Sequence, residues 1–225
     1  MLLFGQIPSL INLVKHCMKS RRKFLFGFIG AVPITTMAGA LAARVTPSEI
    51  EGPFYPVYPQ KDKDFDLTRI EGRSQGAAGK YINIKGVVRN SNGDPIEGAS
   101  VDIWQANAAG RYRHPHDRNP AALDPNFQGW AIVQSGHQGQ FNFKTVMPGA
   151  YPASATWTRP PHIHFKVSKL GYAELTTQMY FPGHPLNKLD RLLQGKNESE
   201  RELMIAQKLV DESDTYSYTI FLQEI

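Results

Sequence analysis

The sequence predicts an all-β domain, a sandwich or barrel, entered through an irregular arm and followed by one short helix near the C-terminus. Three observations carry that expectation. From residue 80 onward, short runs of alternating polarity recur between Gly-, Pro- and Asn-rich turn signals. A single late stretch has helical spacing and a cap. No internal repeat or low-complexity tract points to another architecture.

The first residues are expected to be a leader. Residues 1–42 contain Lys15, Lys19, Arg21, Arg22 and Lys23 and no acidic residue, so they hold the whole formal charge of +5. The remaining 183 residues carry 20 basic against 20 acidic groups. A neutral body with no Lys/Arg stripe has no footprint for a phosphate backbone, so no nucleic-acid partner is expected. Ser20-Arg21-Arg22-Lys23-Phe24-Leu25 sets paired arginines before an uncharged run from Phe24 to Ala43, which ends Ala38-Gly39-Ala40-Leu41-Ala42-Ala43. Residues 1–42 therefore read as a twin-arginine-type export signal, with a periplasmic or secreted destination. Pro33, the glycines and the Ala-Leu-Ala end favour cleavage; an uncleaved run of about 20 apolar residues would anchor the chain in a membrane instead. Met18, close before the arginines, is the expected start. The only cysteine, Cys17, precedes it. The mature chain, 43–225, then forms neither disulfides nor thiolate metal sites. Its length suffices to bury roughly 70% of the unfolded surface without staples.

The arm spans 44–79, rich in Pro, Gly and charge, with Glu51-Gly52-Pro53-Phe54-Tyr55-Pro56 at its head. The core, 80–225, opens with Ile82, Ile84 and Val88 alternating against Asn83 and Lys85. Asn92-Gly93-Asp94-Pro95 turns the chain into Ala99–Gln105, where Val101 and Ile103 alternate with Asp102 and Trp104. Trp130–Gln134 and Phe141–Val146 are expected to form a hairpin around Gly136–Gly139. His162–Lys169 and Glu174–Phe181 are expected to pair around Gly171. The helix is expected to carry a capping box of Ser199 and Glu202, with Leu203, Ala206 and Val210 on one face. Tyr216–Leu222 closes as a strand.

Chemistry concentrates in Arg159-Pro160-Pro161-His162-Ile163-His164-Phe165-Lys166-Val167. On a strand, Ile163, Phe165 and Val167 share the core face, and His162 and His164 share the other, with Cα atoms roughly 6.6 Å apart. Two imidazoles so placed can bind one metal ion, although His-x-His suits zinc, copper or iron and also occurs as polar surface. Oxygen donors near turns are Tyr112 and Tyr151, each of which alone reads as half-buried surface. A phenol ionises near pH 10, so two ligating phenolates at neutral pH need a strong Lewis acid, a demand ferric iron meets better than zinc or magnesium. The spacings leave open whether the four residues meet.

Four segments resemble the intradiol ring-cleavage dioxygenases, and among them the iron-bearing β subunits of the protocatechuate 3,4-cleaving enzymes. They are Val101-Asp102-Ile103-Trp104-Gln105-Ala106-Asn107-Ala108-Ala109-Gly110-Arg111-Tyr112-Arg113-His114, Pro148-Gly149-Ala150-Tyr151-Pro152, Arg159 to Phe165, and Thr177-Gln178-Met179-Tyr180-Phe181. They occur in order, and the resemblance runs from about Thr46 to Leu222. It implies a β-sandwich and a non-haem Fe(III) held by Tyr112, Tyr151, His162 and His164. The implied reaction takes a small aromatic 1,2-diol and O2 to a muconate-type diacid. Tyr151 would leave the metal and take a substrate proton, Arg159 would stabilise negative charge on the ring, and Gln178 would line the pocket and orient the substrate. A homo-oligomer or a related α-type subunit is the implied assembly. Ala153 follows Tyr151-Pro152 where the protocatechuate enzymes have Trp, with Trp157 coming later, and with only the arm of residues 44–79 before the core, the long helical N-terminal domain of the catechol 1,2-dioxygenases is not expected here.

The other histidines, His114, His116, His137 and His184, read as solvated loop positions, and Trp104 as core packing first and pocket wall second. Two other classes compete. Ile84–Gln105 also resembles transthyretin-like and carboxypeptidase regulatory sandwiches, which bind without chemistry, but such a module has no reason to carry Tyr112, Tyr151, Arg159, His162 and His164 together. A zinc hydrolase built on His-x-His lacks an evident third nitrogen ligand and a carboxylate base.

Overall fold

A computed structural model describes residues 44–58 and 62–225. The expected export leader, with Met18 and Cys17, lies outside the described residues. Among the described residues no helix is long and apolar enough to cross a membrane.

The fold is mostly sheet. One four-stranded sheet has the order β4-β1-β10-β9, from Gln140–Val146, Tyr81–Asn90, Thr215–Leu222 and Gln207–Lys208. The other has the order β3-β2-β7-β8, from Trp130–Gln134, Ser100–Trp104, His162–Ser168 and Leu175–Tyr180. A separate hairpin joins β5, Tyr151–Ser154, to β6, Trp157–Arg159. Alternation places the faces. Ile82, Ile84 and Val88 of β1 and Ile163, Phe165 and Val167 of β7 are all fully buried, and they belong to one apolar cluster that draws on both four-stranded sheets. Phe165 is its hinge point, 6.1 Å from the rings of Phe141 and Phe143 on β4 and 5.4 Å from Tyr218 on β10.

Two expectations need correction. β3 and β4 do not form a hairpin: β3 pairs with β2 and β4 with β1, so the Gly136–Gly139 turn carries the chain from one sheet to the other. Alternation tells which side of a strand is apolar, and Ala131 and Phe143 meet the same core from different sheets. The pattern does not name the neighbour.

The C-terminal region holds two short α-helices, α1 (Arg191–Gln194) and α2 (Glu198–Met204), after a 3₁₀ turn at Pro185–Lys188. The capping box of α2 is Asn197 with Glu200, not Ser199 with Glu202. Asn is a better cap than an interior residue, and the Ser199 hydroxyl bonds to the Asn197 side chain instead. Ile205 is already extended; Ala206 is buried, with its N–H donating to the Tyr180 carbonyl at 2.9 Å, and Val210 is 97% exposed. β8 and its attached loop thus end the helix before a long apolar stripe can form. Among the described residues of the arm, 44–58 and 62–79, the chain forms turns, bends and one bridge, between Asp66 and Lys144.

Candidate functional site

The site stands on the face of the β3-β2-β7-β8 sheet that points away from the core. Cross-strand register places Trp130, Trp104, His164 and Gln178 in one row, and His162 opposite Tyr180 in the next. Both histidines are buried, and their Nε2 atoms are 3.2 Å apart. His162 Nδ1 lies 2.7 Å from the Pro160 carbonyl, which can only accept, so Nδ1 carries the proton and Nε2 a lone pair. The His164 ring stacks on the Trp104 indole at 4.8 Å and 14°. Its Nδ1 is buried with no partner among the described residues. Burial, followed by the nearby Arg159 charge, pushes His162 well below its usual range and His164 down to about 3. Both rings are therefore neutral at physiological pH, with lone pairs free for a metal.

Tyr112 and Tyr151 reach the same place through two touching loops. Asn107 shapes the first: its side-chain oxygen accepts from the N–H groups of Ala109 and Arg111, each at 2.9 Å. Gly110, at φ 81°, presses on the second loop, where a Cβ would overlap the Ala150 carbonyl oxygen. Gly149 makes the reciprocal approach, donating to the Asn107 carbonyl at 2.9 Å. The buried Asp117 carboxylate then accepts from the Tyr112 N–H at 2.7 Å. Tyr112 Oη ends 3.4 Å from His162 Nε2, its ring edge-on to Tyr151 at 5.5 Å, and the Tyr151 ring is 5.6 Å from His162.

Burial raises both phenols above their ordinary range. For Tyr112 the neighbouring Tyr151 adds to the effect, while the Arg159 charge acts the other way on each. Among the described residues no three His, Cys, Asp or Glu side chains group around a metal position. The donors available beside the histidine pair are phenol oxygens. Two neutral imidazoles and two phenols that ionise only beside a strong cation make a donor set that fits a hard trivalent metal and suits calcium or magnesium poorly.

Arg159 is buried next to this set. Its Nε donates to Asp190 at 2.8 Å, and its Nη2 donates to the Gln178 carbonyl oxygen and to Tyr180 Oη, each at 2.8 Å. Burial opposes the guanidinium charge, but the surrounding Tyr180, Asp190 and Tyr151 oxygens outweigh it, so Arg159 stays charged. A cavity of about 240 Å³ opens against Arg159, Tyr151 and His164, with Phe54, Ala153 and Trp157 on its walls. The Trp157 ring has two guanidinium neighbours, Arg159 at 5.3 Å and Arg191 at 5.4 Å.

All six sequence-predicted site residues converge here, but Gln178 does so differently than expected. It has no exposed surface and does not line the cavity; its amide donates to the Ile50 carbonyl at 3.0 Å and its carbonyl accepts from Arg159. It touches the arginine from behind. Sequence reasoning missed Asp190 and Asp117, whose only signals were a helix N-cap and a loop turn, and it gave no role to Tyr55. Trp104 supports a histidine. Of the remaining histidines, His116 and His137 are exposed, His114 is half-buried beside Phe54, and His184 caps the 3₁₀ turn.

Residues 50–224 match the family model described as Dioxygenase. The chain is 39% identical over 168 residues to the protocatechuate 3,4-dioxygenase beta chain of Burkholderia cepacia, covering 72% of this chain and 71% of that one. It is 36% identical over 154 residues to catechol 1,2-dioxygenase 1 of Acinetobacter lwoffii, covering 63% of this chain but only 48% of the relative. Among solved structures it resembles the dioxygenase domain of a dioxygenase–carbohydrate-binding fusion from Streptomyces sp. SirexAA-E, with a TM-score of 0.61, 25% identity, and coverage of 81% of this chain and 100% of that one.

Proposed function

The chain belongs to the intradiol ring-cleavage dioxygenases, and on that premise we propose that it inserts O2 between the two hydroxyl-bearing carbons of a 1,2-dihydroxybenzene. The ring C–C bond breaks, both oxygen atoms enter the product, and a muconate-type diacid forms without an external reductant. The convergence of Tyr112, Tyr151, His162 and His164 beside one cavity is the observation that carries this reading. The β-sandwich of that family is the architecture we assign, supported by the apolar cluster that draws on both four-stranded sheets.

In this reading the four residues hold a non-haem Fe(III), which would supply a Lewis-acid template for both diol oxygens and activate the ring toward O2. The protein supplies the rest. His162 and His164 present neutral nitrogens, fixed by Pro160 and by Trp104. Tyr151 Oη accepts a diol proton, and burial, which raises its proton affinity, suits it to keep that proton. Arg159, immobilised by Asp190, stabilises negative charge developing on the ring. Gln178 acts by holding Arg159 in place. Phe54 and Trp157 exclude water and present aromatic surface to the ring.

The test is product analysis with catechol under labelled dioxygen. The reading expects a diacid with labelled oxygen in its carboxyl groups; no oxygen uptake, or cleavage beside the diol, would overturn it. A partner resembling an α subunit, or self-association, is part of the proposal, and mass measurement of the native particle tests it. Export rests on Arg21 and Arg22: Arg21→Lys with Arg22→Lys should leave the enzyme in the cytoplasmic fraction.

A further inference from the structure

The head of the arm crosses the outer face of the β3-β2-β7-β8 sheet from β8 to β2, passing over His164 of β7. On β8, Glu49 N–H donates to the Thr176 carbonyl at 2.8 Å, and the Ile50 carbonyl accepts from Gln178. Above β7, Glu51 pairs with Lys166, and Gly52 lies where a Cβ would stand 3.6 Å from His164 Cε1. Phe54 then packs 4.9 Å from the Tyr112 ring. On β2, Tyr55 Oη donates to Asp102 Oδ2 at 2.6 Å. The other carboxylate oxygen accepts from Trp130 Nε1, also at 2.6 Å.

Asp102 is the unexplained member of this set. It is 8% exposed, and among the described residues it is paired with no lysine or arginine. A buried carboxylate is costly unless both oxygens are satisfied, and here both are satisfied by neutral donors, one of which belongs to the arm. The Tyr55 ring also stands edge-on to Trp104 at 5.0 Å, with Lys166 Nζ 4.2 Å from its centre. The fastening therefore reaches the indole on which His164 stacks.

We propose that Asp102 and Tyr55 are positioning residues that latch the Glu51–Tyr55 segment across the sheet, so that Gly52, Pro53 and Phe54 form a fixed wall of the cavity. Only the kinetic consequence rests on the ring-cleavage reading. The latch itself is tested by chymotrypsin cleavage after Phe54 in the full chain and in Tyr55→Phe, both free of metal and substrate. Phe keeps the ring and removes one donor to the Asp102 carboxylate, so cleavage after Phe54 should speed up on the order of tenfold or more, with cleavage after the exposed Phe65 unchanged. In the iron-loaded enzyme, KM for catechol should rise by a larger factor than kcat falls, and Asp102→Glu, which keeps the acceptor, should lie between wild type and Tyr55→Phe. Unchanged cleavage after Phe54 in a Tyr55→Phe protein of native melting temperature overturns the proposal. So does faster cleavage spread evenly over the chain, which would mark a general structural role. A wild-type protein that cleaves no catechol defeats the ring-cleavage reading and leaves the proteolysis result to decide the latch.

Discussion

Tyr151 and Arg159 are direct cross-strand partners in the β5–β6 hairpin, the first residue of one strand against the last of the other. A phenol expected to take a proton and a guanidinium expected to meet ring charge are thus fixed on one small unit. The hairpin is anchored by Asp190, which binds Arg159 and also caps α1 through Leu193 N–H at 2.9 Å.

Replacing Asp190 should therefore cost stability as well as rate. Asp190→Asn leaves a buried guanidinium without its counter-charge, a loss of about 3–5 kcal/mol in comparable buried pairs. Urea denaturation measures it; a loss under about 1 kcal/mol would show that the pair does not hold the hairpin.

Tyr151→Phe removes the proton acceptor and keeps the ring. Turnover of catechol should fall by about a hundredfold or more, within the range of acid–base contributions, and unchanged turnover would assign the proton to another group. His162→Ala should lose iron, and metal analysis showing full occupancy would remove His162 from the ligand set.

Gly110→Ala addresses how Tyr112 arrives. A Cβ at φ 81° must also displace the Ala150 carbonyl, so destabilisation of about 1–3 kcal/mol is expected, with weakened iron binding. A native melting temperature and full iron content would mean that the loops do not need this contact.

The metal-free protein should be acid-sensitive in a defined window. His164 binds its proton near pH 3 when folded and near 6.5 when unfolded, and His162 is shifted in the same direction. Above pH 6.5 neither state holds these protons and the stability is fully present. As pH falls below 6.5 the unfolded chain takes up protons that the folded one refuses, so stability drops by up to about 1.4 kcal/mol per unit for each histidine. Urea midpoints at pH 7.5, 6 and 5 check this; a flat or rising series would contradict the burial of neutral imidazoles.

The histidine pair was legible from local pattern, whereas the meeting of Tyr112, Tyr151 and Arg159 with it was implied only by the family resemblance. His162 and His164 follow from strand alternation, and the β7–β8 pair from a turn at Gly171. What was not legible depends on contacts between distant segments. Asp190 meets Arg159 only after a 3₁₀ turn and a helix cap place it there, and Asp102 looks like any polar strand residue until Tyr55 arrives from the arm. The β3–β4 turn was read as a hairpin because alternation identifies faces but not neighbouring strands. Gln178 was expected at the cavity because the family resemblance implies it there; Arg159, which its side chain bonds, lines the cavity instead.

The central claim is that two phenolates and two imidazoles hold iron open to a diol. The visible spectrum of the iron-loaded protein, recorded before and after catechol is added without oxygen, tests it most directly. The account predicts a broad tyrosinate-to-Fe(III) absorption that shifts when the diol is added. Bound iron with no such absorption, or an absorption that catechol leaves unmoved, would contradict it.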